Sequence, residues 1–407
     1  MKRSFLAATG SALLAGAFLL AAAAPSTAAP GNSDPHGQAK GHAVRICSEP
    51  KAGEAACQSY KAADEQGVPL AGSTPPASAL TPAGLQGAYK LTGLKSGGRT
   101  VAIVDAYGYP NLERDLNVFR NQFGLPACTS ASGCLTVVNQ NGGSSLPAFN
   151  ASWAGEQALD VDAVSASCPD CRIVVVQANS TSLADLGTGV QTAAQLPGVV
   201  AISNSYGGGD ASDSSYGQYY NVPGIAVTAS TGDNGYRGAS YPASSSYVTA
   251  VGGTSLIKAS TSRGWSESAW SGAGSGCSGY NAALPAAAGF NTGCAKRAMS
   301  DVSAAADPNN GGLAVYYPTS SSASAWGQIG GTSESAPIIA SVYALSGNTG
   351  SAANGTYANS LPYRNTSGLF DVTSGNNGSC PTQQWCTAGT GWDGPTGLGT
   401  PNGVSSF

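Results

Sequence analysis

Histidine is nearly absent: the chain carries two, His36 and His42, both upstream of everything that reads as a folded body. A Ser-His-Asp triad and a histidine-ligated zinc site are therefore excluded from that body. A serine nucleophile there needs a carboxylate or a lysine as its base. Charge is also scarce, at 10% of residues with a formal net charge of -4. No basic block is present to follow a phosphate backbone, so nucleic acid is not an expected partner. Few ionisable groups limit the charge that builds up in acid, although a Gly/Ser/Ala-rich exported protein without acid adaptation has the same composition. Beyond the first residues, no apolar run approaches the roughly 18 to 20 residues of a spanning helix.

What is present begins with Met1-Lys2-Arg3, an apolar run from Phe5 to Ala24, and small residues through Ala29. That order of charged start, apolar middle and small-residue end is the build of a signal peptide. Residues 1–28 are expected to be removed, leaving a secreted, extracellular protein without a membrane partner. Ten cysteines fall as five sequence-local couples: Cys47 with Cys57, Cys128 with Cys134, Cys168 with Cys171, Cys277 with Cys294, and Cys380 with Cys386. In an exported chain this even count reads as disulfides, each closing a short loop. A metal reading of Cys168-Pro-Asp-Cys171 lacks a second CxxC and any nearby histidine.

Residues 29–79 mix Pro, Gly, Ala and local charge without sustained periodicity, and read as a short pro-segment or linker closed by one disulfide. The mature N-terminus is open anywhere between about Ala28 and Leu80. From Leu80 the pattern changes. Thr81-Pro82 starts a capped helix, and β-branched runs at 100–104, 172–177, 199–203, 225–229 and 247–251 alternate with helix-compatible stretches such as 153–166 and 183–196. This predicts an α/β body over 80–407, a doubly wound, mostly parallel sheet with helices on both faces. In such sheets chemistry gathers at the carboxyl ends of the strands.

Three segments carry candidate chemistry. Gly330-Gly331-Thr332-Ser333-Glu334 turns on glycine into an apolar helix, which sets Ser333 at the positive end of the helix dipole with its hydroxyl outward; an ordinary capping serine has the same surroundings. Glu156 and Asp160 lie four apart on a predicted helix and share a face. Two carboxyls that close hold a proton to higher pH and can act as an acid-range base, with Glu156 taking the serine proton and Asp160 orienting it; a solvated acidic face is the alternative. Asp233 sits in a glycine-flanked turn after an apolar strand. Protonated, it can donate to an oxyanion; as plain turn chemistry it needs no function.

Taken in order, Glu156 with Asp160, the Gly232-Asp233 turn, and Gly331-Thr332-Ser333 with Pro337 resemble the sedolisin family of serine-carboxyl peptidases. The similarity runs from about Thr81 to Pro401 and includes Val101 to Asp105, Ser203-Asn204-Ser205-Tyr206-Gly207 and Asp301-Val302-Ser303-Ala304. The resemblance implies a subtilisin-like fold in a single catalytic domain. It also implies an acyl-enzyme on Ser333, Glu156 and Asp160 as base and orienting partner, and Asp233 in the oxyanion hole. At the C-terminal end, Asp371-Val372 and Gly389-Thr390-Gly391-Trp392-Asp393 resemble the family's calcium site. One structural Ca2+ would be held by Asp371, Asp393 and the carbonyls of Val372, Gly389 and Gly391, an all-oxygen shell.

Three departures stand out: a short leader where the family has a long folded pro-domain, Tyr206 where tryptophan is usual, and Asp105 where some members carry glutamate in a second hydrogen-bonded network. The expected function is acid-active hydrolysis of polypeptides by a monomer. Its competitor is a catalytically weak relative that binds peptide or serves structurally. A polysaccharide-binding role would rest only on Gly/Ser richness and aromatics such as Trp385 and Trp392.

Overall fold

A computed structural model describes residues 42–351, 353 and 356–407. The signal peptide expected at 1–28 and the first part of the 29–79 segment lie outside the described residues. The description starts with strands β1 (His42–Arg45), β2 (Ala56–Cys57) and β3 (Tyr60–Ala63) and helix α1 (Pro82–Ala88), whose cap Thr81 accepts the Gly84 N–H. There follow β4 (Thr100–Ala106), α2 (Leu112–Gln122), β5 (Leu135–Asn139), α3 (Ala151–Ser167), β6 (Arg172–Ala178), α4 (Leu183–Gln195), β7 (Val199–Asn204), β8 (Tyr206–Gly209), α5 (Asp213–Tyr220) and β9 (Ala226–Ser230). The remainder of the body adds β10 (Ser240–Tyr241), β11 (Thr249–Lys258), β12 (Trp265–Ala269), β13 (Gly276–Cys277), β14 (Ala298–Met299), β15 (Val302–Ala305), β16 (Leu313–Pro318), β17 (Ser324–Gly330) and α6 (Thr332–Ser346).

Strand alternation explains the layers. Along β4, Val101 and Ile103 enter one apolar cluster while Ala102 and Val104 enter another, and β6 divides Ile173 and Val175 from Val174 and Val176 in the same way. The first cluster is closed by side chains of α1, α2, α3 and α6, the second by those of α4 and α5. A sheet covered on both faces needs continuous apolar strands, which is the pattern the sequence shows. The order is β5-β6-β4-β7-β9-β11, parallel throughout, with β15 parallel and β12 antiparallel on successive parts of β11.

Residues 42–79 are paired into the body: β1 pairs with β3, β3 with β17, and β17 with β16. Strand β2 pairs with β8, which also pairs with β10. Local periodicity missed this because the strands are two to four residues long and β2 and β3 find partners far along the chain. All five cysteine couples form disulfides, and no cysteine is free among the described residues.

Candidate active site

Ser333 stands in the first turn of α6, just after the capping Gly331. Gly331 has φ +122°, and a Cβ there would meet the Gln58 carbonyl oxygen at 2.3 Å and Asp233 Oδ2 at 2.6 Å. Only glycine fits that turn. The expectation of an outward hydroxyl is corrected: Ser333 is fully buried, because Gln58 and Ser59 lie over it. Its N–H donates to the Gln58 carbonyl at 3.0 Å. Its Oγ donates to the Ser205 carbonyl at 3.0 Å and accepts the Gln58 N–H at 3.1 Å.

Glu156 and Asp160 ride one turn apart on α3, whose cap Asn150 accepts the N–H groups of Ser152 and Trp153. Helix α3 packs against α6. Both acids are fully buried, which removes the solvated-face alternative. Ser59 Oγ donates to Glu156 Oε2, and Ser205 Oγ donates to Asp160 Oδ1 at 2.8 Å. Ser205 thus ties the Asp160 carboxyl to the Ser333 hydroxyl, through its side chain on one side and its carbonyl on the other.

A third carboxyl joins them. Asp105, at the carboxyl end of β4, is fully buried, and neither of its side-chain oxygens has a hydrogen-bond partner among the described residues. Burial pushes it well above the usual carboxylate range. Glu156 is raised by burial first and then by the charge of Asp105, against the nearby Ser333 hydroxyl and the hydrogen bond from Ser59. Asp160 is raised by burial, Asp105 and Glu156, against Ser205. Glu156 Oε1 and Asp160 Oδ2 are also without donors. Protons shared within the cluster would satisfy these oxygens and remove the repulsion.

Asp233 follows β9. Its Oδ1 accepts both the N–H and the Oγ1–H of Thr332 at 2.8 Å, and its Oδ2 is buried without a partner. Burial raises its pKa to about 7, against the Thr332 bonds. Below that pH it is neutral, with a proton to donate beside Gly331. An oxygen in this corner meets two donors, the Ser333 N–H and the Asp233 carboxyl. The four residues expected from the sequence are therefore brought together at the carboxyl ends of the central strands.

No family model matches the chain. Among curated proteins, it is 29% identical over 364 residues to kumamolisin of Bacillus sp. (strain MN-32), covering 80% of this chain and 63% of that protein. A shorter match, 42% over 83 residues, is to aorsin of Aspergillus oryzae and covers 19% of this chain and 12% of that protein. Among solved structures, Pseudomonas sedolisin, a serine-carboxyl proteinase complexed with two molecules of pseudo-iodotyrostatin, superposes with a TM-score of 0.64 at 23% identity over 82% of this chain and 96% of that one. These likenesses support the resemblance to the sedolisin family that the motifs carry. The chain's fold is subtilisin-like, and sphericase superposes on it with a TM-score of 0.50 at 17% identity over 80% of this chain and 99% of that one. The chain spans less than two thirds of the length of kumamolisin.

The sedolisin resemblance also directs attention to the C-terminal loops. Asp371 Oδ2 accepts the Gly391 N–H at 3.0 Å, and Asp393 Oδ2 accepts the Gly389 N–H at 3.1 Å, so the two loops wrap the two acids. Asp393 is buried, and its carboxyl is raised to about 7 by burial, with the charge of Asp371 adding to the effect. Two neighbouring acids, one disfavoured as an anion, fit a hard cation that would replace the proton. Among the described residues no group of three or more His, Cys, Asp or Glu is placed to hold a metal. Any calcium shell here draws on carbonyl oxygens.

Asp105, Gln58, Ser59, Ser205 and Thr332 complete the site and were not among the expected catalytic set. Asp105 had a signal: it is the one charge in the strand Thr100-Val101-Ala102-Ile103-Val104-Asp105-Ala106. Gln58 and Ser59 had none, since their approach depends on long-range pairing.

Proposed function

We propose that this chain is a secreted, acid-active serine-carboxyl endopeptidase of the sedolisin family, acting on unfolded or extended polypeptides as a monomer. In this reading residues 1–28 are a signal peptide, a short pro-segment lies within 29–79, and the peptidase body with its calcium loops follows over 80–407. The observation that carries it is the set of raised, buried carboxyls around a serine whose N–H already holds a peptide carbonyl.

Glu156 takes the Ser333 proton as Oγ adds to the substrate carbonyl. Asp160 orients Glu156 and balances its charge through a shared proton, and Asp105 keeps the cluster from ionising fully. The developing oxyanion is met by the Ser333 N–H and by protonated Asp233. The Glu156 proton then passes to the leaving amine, and water resolves the acyl-enzyme by the reverse route.

Hydrolysis of a denatured protein is expected at about pH 3 to 5 and to fade as Asp233 ionises near neutrality. Absence of cleavage at every pH would end this reading. The competing role, a peptide-binding or structural relative, draws on one observation: Ser333 is covered by the chain's own residues 58 and 59. Turnover of added protein decides between the two.

When bound, a calcium ion would join the two C-terminal loops through Asp371, Asp393 and the carbonyls of Val372, Gly389 and Gly391. An ion at a hundred times its Kd adds about 3 kcal/mol to stability. Excess chelator at neutral pH is expected to lower Tm by on the order of 5 °C. An unchanged melting curve would retire the site.

A further inference from the structure

The two oxygens of the Asp233 carboxyl are not equivalent. Oδ1 accepts two bonds, from the Thr332 N–H and the Thr332 Oγ1–H, both at 2.8 Å. Oδ2 is buried and has no hydrogen-bond partner among the described residues. It lies toward the carbonyl that the Ser333 N–H holds: a Cβ on Gly331 would stand 2.6 Å from Oδ2 and 2.3 Å from that carbonyl oxygen. In a neutral carboxyl one oxygen carries the hydrogen and the other is an acceptor. Two donors on Oδ1 make it the acceptor, and the hydrogen is left to Oδ2.

Both donors come from one residue. Thr332 opens α6, so its N–H is one of the first amides of the helix, which have no partner within it. The next amide, that of Ser333, holds a carbonyl at 3.0 Å, so two unpaired helix donors are divided between the aspartate and the oxyanion corner. The Thr332 hydroxyl also accepts the Gly232 N–H at 3.0 Å, which ties α6 to the turn that carries Asp233. Its alternative acceptor, the Gly232 carbonyl, is farther away at 3.2 Å. The Thr332 side chain is fully buried, with its methyl facing Gly253, where an added Cβ would stand 3.3 Å from it. A β-branched side chain has few χ1 rotamers, so a seated methyl fixes the direction of the hydroxyl. Serine would keep the hydroxyl without that restraint, and valine the shape without the hydroxyl.

Resting on the peptidase reading above, we propose that Thr332 is a positioning residue for acyl transfer: it holds Asp233 Oδ1 as an acceptor and so places the Asp233 proton on Oδ2, toward the oxyanion. Thr332 touches no reacting atom and acts through Asp233. The charged and titratable groups that face Asp233 are Arg45 of β1, Tyr60 of β3 and Glu156 of α3. Arg45 favours the Asp233 anion, and the Glu156 carboxylate disfavours it. The Thr332 bonds favour the anion too, so without the hydroxyl Asp233 keeps its proton to higher pH. Loss of the hydroxyl therefore has two signatures. The reaction slows, because the proton is free to sit on Oδ1, while the active range extends to higher pH.

The test compares wild type, Thr332→Val and Thr332→Ser on denatured haemoglobin, with kcat and KM taken across about pH 2 to 8. Thr332→Val is expected to lower kcat by about 10- to 100-fold, the scale of weakening one oxyanion donor, with KM changed by less than about 2-fold. Its alkaline limb is expected at higher pH than that of wild type. Thr332→Ser is expected to recover most of the rate and the wild-type limb. A purely structural role would lower the rate and leave the limb in place. That result, an unchanged rate in Thr332→Val, or a serine variant as slow as the valine one would overturn the proposal and leave the peptidase reading standing. Should the valine variant not fold, Thr332→Ser against Thr332→Ala gives the same comparison, since the two differ only in the hydroxyl: the serine variant is expected to be faster, with its limb at lower pH, and equality would overturn the proposal. No hydrolysis by wild type at any pH would overturn both readings.

Discussion

Ser333→Ala is expected to lower hydrolysis of denatured protein by roughly 10,000-fold or more, the scale on which serine peptidases lose activity when their nucleophile is removed. The fold should survive, because an alanine at this position keeps the backbone N–H on the Gln58 carbonyl and loses only the hydroxyl bonds to Ser205 and Gln58. Glu156→Gln makes the sharper comparison. The amide keeps shape and hydrogen-bonding length but cannot take a proton, so a loss of about 100-fold to 10,000-fold is expected through the base alone. Initial rates on one denatured protein across pH separate the two variants. Activity retained in Ser333→Ala removes the acyl-enzyme; activity retained in Glu156→Gln moves the base elsewhere in the carboxyl cluster.

How much of this site was legible depended on the distance over which each signal acts. Ser333, Glu156, Asp160 and Asp233 lay in short motifs whose order in a body without histidine left one kind of activation. The parallel sheet followed from apolar strands such as Val101 to Val104, whose two-faced burial shows in composition. Asp105 was visible as a charge in such a strand, but its coupling to Glu156 and Asp160 is a property of space and not of spacing. Residues 42–63 were the least legible. Tyr60 and Lys61 pair with Gly330 and Ile329, and Cys57 with Tyr206, and no local pattern in a four-residue strand points to a partner so far along the chain.

Thermal stability is expected to fall as pH rises from about 4 to about 7, the opposite of a protein held by salt-bridged carboxylates. The sign follows from linkage. A carboxyl whose pKa is higher in the folded chain than in the unfolded one stabilises the fold while protonated, and that contribution is lost between the two values. For Asp233 the window runs from its ordinary 3.8 to about 7, with burial the main cause. A shift of roughly 3 units corresponds to about 4 kcal/mol for this buried group. Asp105, Glu156, Asp160, Asp162 and Glu334 are all raised by burial as well and act in the same direction. On a chain of this size the expected drop in Tm is on the order of 5 °C or more. Ser333→Ala is the form to scan, since it cannot digest itself during the melt. Adding Asp233→Asn should flatten part of the slope, because the amide stays neutral in the same position. A Tm that is level or rising from pH 4 to 7 would mean that these carboxyls are ionised in the folded chain, and the proton-sharing cluster around Ser333 would fall with it.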